Sequence, residues 1–163
     1  MGVAVSIKAS PSFDKIKSLT EGIEKETLSD LRSFWILLIP FVKGVLKERF
    51  ETENRGRWAA LSPRYKAWKE RYYPGKPILQ LTQKLYHAAT EKGRQGNVCE
   101  ETPTSLAWGV DTDIIPYAAY VQSGVKAPSR IWCELEKQDE EDINLNFGYW
   151  LRKKLDEKCR AVK

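Results

Sequence analysis

The apolar positions change period several times along the chain, and each change marks an element. Val3, Val5 and Ile7 alternate with Ala4, Ser6 and Lys8, the period-two pattern of a half-buried strand; Pro11 ends it. From Ser12 onward, Phe13, Ile16, Leu19 and Ile23 recur at helical spacing, with Ser12 as cap and Asp14 near the positive end of the helix dipole. A broader apolar face runs through Leu28, Leu31, Phe34, Trp35, Leu38, Val42, Val45, Leu46 and Phe50, suited to a helix in the middle of a core. Pro40 is expected to kink or divide that helix, because it has no amide proton and its ring crowds the preceding turn.

Past a polar run at 51–55, Gly56 marks a loop, and Ser62 with Pro63 supplies a cap and a first helical residue for a short helix through Arg71. The turn-rich YYPGKP at 72–77 breaks the chain again. A helix from Leu79 or Thr82 to Thr90 then places Leu81, Leu85 and Ala88 or Ala89 on one side and ends before Gly93 and Gly96. Strands at 98–102 and 106–110 are predicted to form a hairpin about Pro103. A short helix at 117–122 follows Pro116 and stops at Gly124, and a strand is predicted at 130–135. In the last stretch Ile143, Phe147, Leu151 and Leu155 lie four apart beside Trp150, a helical stripe whose burial outweighs the cost of about 1 kcal/mol for Gly148. The predicted class is α+β: several helices on a small, mostly antiparallel sheet, with long N-terminal helices and a C-terminal helix. No internal repeat divides the 163 residues, so one domain over 1–163 is expected.

Composition narrows the functions. With 42% hydrophobic and 30% charged residues the chain has the balance of a folded domain. The longest apolar run, 34–42, contains Pro40 and falls short of the roughly 20 residues a bilayer span needs, so no membrane partner is expected. The first ten residues lack a basic segment followed by a long apolar one, which points to assembly in a cytoplasm. Residues 1–6 formally fit a myristoylation pattern, but the strand alternation accounts for them better. Cys99, Cys133 and Cys159 are odd in number and widely spaced, as suits reduced thiols rather than a disulfide framework or a zinc site.

Candidate chemistry is sparse. His87, the one histidine, lies in a helical pattern and leaves Ser and Cys nucleophiles without a base. Asp111 and Asp113 lack the further acids and the glycine of a calcium loop, and their ordinary role is capping and turn formation. Acids are abundant at Glu100, Glu101 and 134–142, but abundance does not pair them for glycoside hydrolysis. Phosphate loops of the GxxxxGK[ST] or GxGxxG type are missing. The expectation is no catalytic, cofactor or metal site.

Charge is uneven within a net +5: the stretch 43–76 carries ten Lys/Arg against four acids, and 134–142 carries six acids against Lys137. The basic stretch is interleaved with aromatics at 55–76, RGRWAALSPRYKAWKERYYPGK. Such residues stack on bases and neutralise phosphates, and they are also enriched at protein interfaces, the reading favoured by six tryptophans in a chain this small.

Read in order, Gly56-x-Trp58-x-x-Leu61-Ser62, then Tyr65 and Lys69, then Leu79-x-Leu81-Thr82-Gln83-Lys84-Leu85, then Tyr117-Ala118-x-x-Val121-Gln122-x-Gly124, and finally Pro128-x-Arg130-Ile131-Trp132 form a sequence of segments. This order over about residues 50–135 resembles the virion morphogenesis, or tail-completion, proteins of Mu-like and P2-like phages. Gln83 stands where that family usually has Gly, and Val121 where it often has His. The resemblance implies a non-enzymatic virion protein that completes the head-proximal end of a phage tail, helps join head to tail, and works in a homo-oligomeric ring, six-fold by expectation. It implies neighbours of the tail-terminator, tail-tube or head-connector kind, and only non-specific proximity to DNA. Tail terminator and head-closure ring are adjacent roles, and a nucleic-acid-binding module using 57–76 is an alternative of another class.

A ring needs two different surfaces that meet, and the basic 43–76 and acidic 134–142 stretches are the expected pair. Arg57, Arg64, Lys69, Arg130, Trp132, Glu140 and Glu141 are the expected contacts between subunits or with adjoining rings. Trp58, Leu61, Tyr65, Leu85 and Tyr117 are the expected shared core.

Overall fold

The structure, a computed structural model, describes residues 5–9 and 28–161; the helix expected at 12–23 lies outside the described residues. Strand β1 (Val5–Ala9) is followed by helix α1 (Arg32–Glu51), α2 (Pro63–Tyr72), α3 (Lys84–Thr90), strands β2 (Asn97–Glu101) and β3 (Leu106–Val110), α4 (Tyr117–Ser123) and α5 (Lys137–Ala161). This is the α+β class expected from the periodicities. The strands form one antiparallel sheet in the order β1-β3-β2, with Val5, Ile7 and Ala9 opposite Val110, Trp108 and Leu106, and Cys99 also opposite Trp108.

α1 is the axis of the fold. Its buried positions Phe34, Trp35, Leu38, Ile39, Val42, Leu46 and Phe50 follow the 3.6-residue period, and it packs against α3, α5 and β3. The helix runs unbroken through Pro40, so the expected division does not occur. Pro40 and Ile36 are both exposed, which leaves the carbonyl that Pro40 cannot serve on the solvent side. At its start, Leu31 N donates to Pro103 O at 2.7 Å and Trp35 Nε1 to Thr102 O at 2.7 Å, fixing the β2–β3 turn to the helix.

Two aromatic clusters fill the core along α1. Near its start Phe34 meets Phe147 edge-on at 5.1 Å, with Trp150 at 5.7 Å, joining α1 to α5. At its end Phe50 meets Trp58 at 5.6 Å, Tyr86 at 5.7 Å and Trp132 at 6.1 Å. These spacings are those of attractive ring pairs, each adding about 0.5–1.5 kcal/mol beyond its area. Trp108, fully buried on the central strand, donates its indole N–H to Ala89 O at 2.7 Å, tying the sheet to α3.

Two local expectations need correction or comment. The stretch 130–135 is not a strand; Arg130 N donates to Val121 O at 2.8 Å, and the side chains of Trp58 and Gln122, rather than a neighbouring strand, bond the backbone of 131–133. The turn after α1 places Glu53, Asn54, Arg55 and Gly56 in succession at φ 51°, 56°, 55° and 72°. Left-handed backbone costs a residue bearing Cβ roughly 1–2 kcal/mol, and Gly56 alone signalled it. The turn is closed by Gly56 N to Thr52 O at 2.9 Å and Trp58 N to Glu53 O at 3.2 Å, and it returns Trp58 onto Phe50.

Candidate interaction surface

The segments singled out in the sequence converge in space. Trp58 donates its indole N–H to Ile131 O at 2.9 Å. Arg130 reaches back with Nε to Ala59 O at 2.8 Å and with Nη2 to Ala60 O at 3.2 Å. Gln122 Oε1 accepts from Trp132 N and Cys133 N, and its Nε2 donates to Cys133 O, so one amide replaces a strand partner for 132–133. Trp132 Nε1 donates to Ala118 O at 3.1 Å. Gly124 ends α4 at φ 77°, which favours glycine, and its surroundings are tight: a Cβ there would lie 3.0 Å from that of Ser129. Gln83 precedes α3 at φ 57°, a conformation that favours glycine.

Several expected contact residues are therefore turned inward. Trp132 is fully buried, and Arg130 and Lys69 are 5% and 6% exposed; in this conformation they offer a neighbour almost no surface. The reason is that long cationic side chains serve backbone carbonyls here, Lys69 Nζ donating to Pro77 O at 2.8 Å. Leu85, Ala118 and Trp58 are core residues, and Leu61 packs against the core. Tyr65 and Tyr117, by contrast, are exposed at 41% and 38%. Ser62 caps α2 by accepting from Tyr65 N, with Pro63 first in the helix. Thr82 and Pro128 are exposed.

The charge pairing expected between subunits is partly made within one. Glu136 receives Arg57, and Arg49 and Arg55 each at 3.6 Å, while Arg49 also faces Glu134 at 3.8 Å. The hydrogen bond from Arg57, with the other arginines adding, holds the Glu136 carboxyl below its ordinary pKa. Arg49 is 5% exposed and its Nη1 has no hydrogen bond, so these acids offset the cost of its burial. Glu140 and Glu141 remain exposed in the first turns of α5.

What faces outward is the side of α2. Tyr65 stacks on Trp68 at 5.4 Å, Trp68 meets Tyr72 at 5.8 Å and Tyr73 at 5.6 Å, and the Arg71 guanidinium sits 5.5 Å over the Tyr72 ring. Trp68 is 41% and Tyr72 58% exposed, with Arg64, Lys66 and Lys76 exposed around them. Aromatic rings ringed by cations suit a protein partner or the bases and phosphates of nucleic acid.

Three further residues carry structure that no motif announced. Gln80, buried, donates to Phe50 O at 3.0 Å; Glu53 Oε1 accepts from Ile78 N at 3.0 Å; Asn97 Nδ2 donates to Ala88 O at 2.8 Å. Only a polar residue between apolar ones, Leu79-Gln80-Leu81, hinted at the first. His87 Nδ1 lies 2.6 Å from Glu91, the residue that caps the end of α3, both partly exposed. Among the described residues no group of three or more His, Cys, Asp or Glu is placed to hold a metal ion, and no helix is long and apolar enough to cross a membrane. Comparisons with protein-family models, curated proteins and solved structures gave no match.

Proposed function

We propose that this chain is a non-catalytic subunit of a tailed-phage virion, completing the head-proximal end of the tail and helping head and tail join as one copy in a homo-oligomeric ring. The observation that carries the reading is the convergence of the resembling segments. Stretches 56–63, 117–124 and 128–132 close on one another through Trp58, Arg130 and Gln122. Two of the resemblance's glycine positions, Gly124 and the one filled here by Gln83, have left-handed backbone. A shared architecture explains why residues of these types recur at these spacings.

A ring requires that unlike surfaces meet. The exposed aromatic and cationic side of α2 is one, and Glu140 and Glu141 on α5 are the other; such complementarity adds register and specificity more than affinity. Reversing both glutamates to lysine is expected to impair ring formation, and unaltered assembly would count against this pairing. The role itself is tested by electron microscopy of lysates in which the gene is inactivated within its parent phage or prophage. Filled heads lying apart from tails are expected; intact, infectious particles would discard the proposal.

The stacked Tyr65–Trp68 pair beside Arg64, Lys66 and Arg71 favours one second reading, binding of single-stranded nucleic acid. It requires affinity that falls steeply as salt rises; weak, salt-independent binding by the purified protein would sink it.

A further inference from the structure

Beside the convergent segments lies a cavity of about 330 Å³, within the range of small-ligand sites. Leu61, Ile78, Leu79 and Leu81 give it an apolar side, and Lys69 and Arg130 line it as well. Both cations are more than nine-tenths buried. Their hydrogen bonds go to backbone carbonyls, of Pro77 for Lys69 and of Ala59 and Ala60 for Arg130. Among the described residues no carboxylate comes within ion-pair distance of either. Glu53 is the acid whose charge reaches both, and its Oε1 is occupied by Ile78 N. Two positive charges thus share one distant negative charge in a poorly solvated place.

Burial, the leading cause, holds both cations below their ordinary pKa, and for Lys69 the charge of Arg130 pushes the same way. An arginine nonetheless stays charged. A buried cation without a paired anion is a standing cost that a bound anion would relieve. The phenols of Tyr65 and Tyr117, at the same cavity, add groups able to donate to an oxygen.

We infer that this cavity binds a carboxylate carried on an apolar stem, with Lys69 and Arg130 receiving the carboxylate and the leucine and isoleucine side chains receiving the stem. The site stands whether or not the chain builds a ring. A spherical, strongly hydrated anion would leave the apolar side unused, whereas a carboxylate on a hydrocarbon chain satisfies both. The source is either a free alkyl acid or the C-terminal carboxylate of an apolar peptide.

Calorimetric titration of the full chain with hexanoate, inorganic phosphate and hexanol tests it, with a tripeptide ending in free leucine and its amide as further probes. Hexanoate is expected to bind saturably, with hexanol and phosphate each at least about tenfold weaker, the loss expected for one charged hydrogen bond or for the buried stem. Tighter binding of the free-acid peptide than of hexanoate supports the site and assigns the source to a chain terminus; the reverse supports it with a free acid. Lys69→Met keeps the stem of the side chain and is expected to weaken hexanoate about tenfold. Arg130→Lys, which keeps the charge and part of the carbonyl bonding, supplies a second variant with a smaller loss. No saturable binding, phosphate as tight as hexanoate, or unchanged affinity in folded variants would overturn the inference.

Discussion

The two sides of the basic aromatic stretch use the same residue types in opposite ways. Trp58, Lys69 and, from across the chain, Arg130 and Trp132 face inward and are tied to named carbonyls. Arg64, Lys66, Trp68, Arg71 and Tyr72, some of them neighbours in sequence, face solvent, with Trp68 against Tyr65 and Tyr72 and Arg71 over the Tyr72 ring. Tryptophan and arginine in a run therefore do not by themselves mark a binding face. The indoles of Trp58 and Trp132, the Lys69 ammonium and the Arg130 guanidinium have each found an acceptor inside the fold, as burial of a polar group demands. The exposed set contributes little to stability and is available for a partner.

Substituting one tryptophan from each side gives the largest contrast. Trp132→Ala removes a fully buried indole and its bond to Ala118 O and is expected to cost about 3–5 kcal/mol in urea denaturation. Trp68→Ala, on the outer side, should cost less than about 1 kcal/mol while weakening assembly of the proposed ring. Equal losses would dissolve the distinction between the two sides.

Gln122→Ala attacks the inward side through the backbone. It leaves Trp132 N, Cys133 N and Cys133 O without their amide partner, and about 2–3 kcal/mol should be lost, since unsatisfied buried groups cost about 1–3 kcal/mol each and some regain water. Hydrogen exchange at the amides of 132 and 133 checks the mechanism, for protection there should vanish before that of α1. If both amides stay protected, another acceptor holds them.

Cys133 sharpens the same region by pH. Burial pushes its thiol up to about 12, whereas an unfolded thiol titrates near about 8.5. Above that lower value the unfolded chain sheds a proton the folded chain keeps, so stability is complete below it and declines by at most about 1.4 kcal/mol per pH unit toward the folded pKa. Cys99 is shifted the same way by its own burial, and Lys69, lowered, acts in the opposite sense. The measurement is therefore the difference between the parent and Cys133→Ala, followed by denaturation from pH 8 to 10. A difference independent of pH would mean that the thiol is hydrated.

These contrasts show what periodicity reveals and what it does not. The α1 face, the β2–β3 hairpin, the Ser62–Pro63 start of α2 and the α5 stripe were all legible, because each is set by local spacing or by a cap that acts within one turn. The chain at 130–135 reads as a strand because Ile131, Cys133 and Leu135 alternate at period two, while the group that satisfies the backbone of 132–133, Gln122, lies elsewhere in the sequence. The continuity of α1 through Pro40 depended on which side of the helix faced solvent, a tertiary fact. The inward fate of Lys69 and Arg130 depended on carbonyls brought near by folding, so composition pointed them outward. Pairing of Glu136 with three arginines, likewise, joins positions some eighty residues apart in the case of Arg55 and Arg57.

The smallest expected effect concerns a position at which the chain departs from the pattern it resembles. Gln83 holds φ 57° immediately before α3, and its carbonyl accepts from His87 N at 2.9 Å, so the backbone conformation is required to start the helix. Relief of Cβ crowding on Gln83→Gly is worth roughly 1–2 kcal/mol, offset by about 0.5–1 kcal/mol of added freedom in the unfolded chain. A net gain of about 0.5 kcal/mol is expected, read as a small rise in Tm, while Gln83→Ala, which keeps the Cβ, should give none. Because Gln83 makes no side-chain cap to α3, little else is lost in the exchange. A drop in Tm with glycine would show that the Gln83 side chain contributes contacts worth more than the strain it imposes, and would remove backbone geometry as the link between this turn and the family pattern.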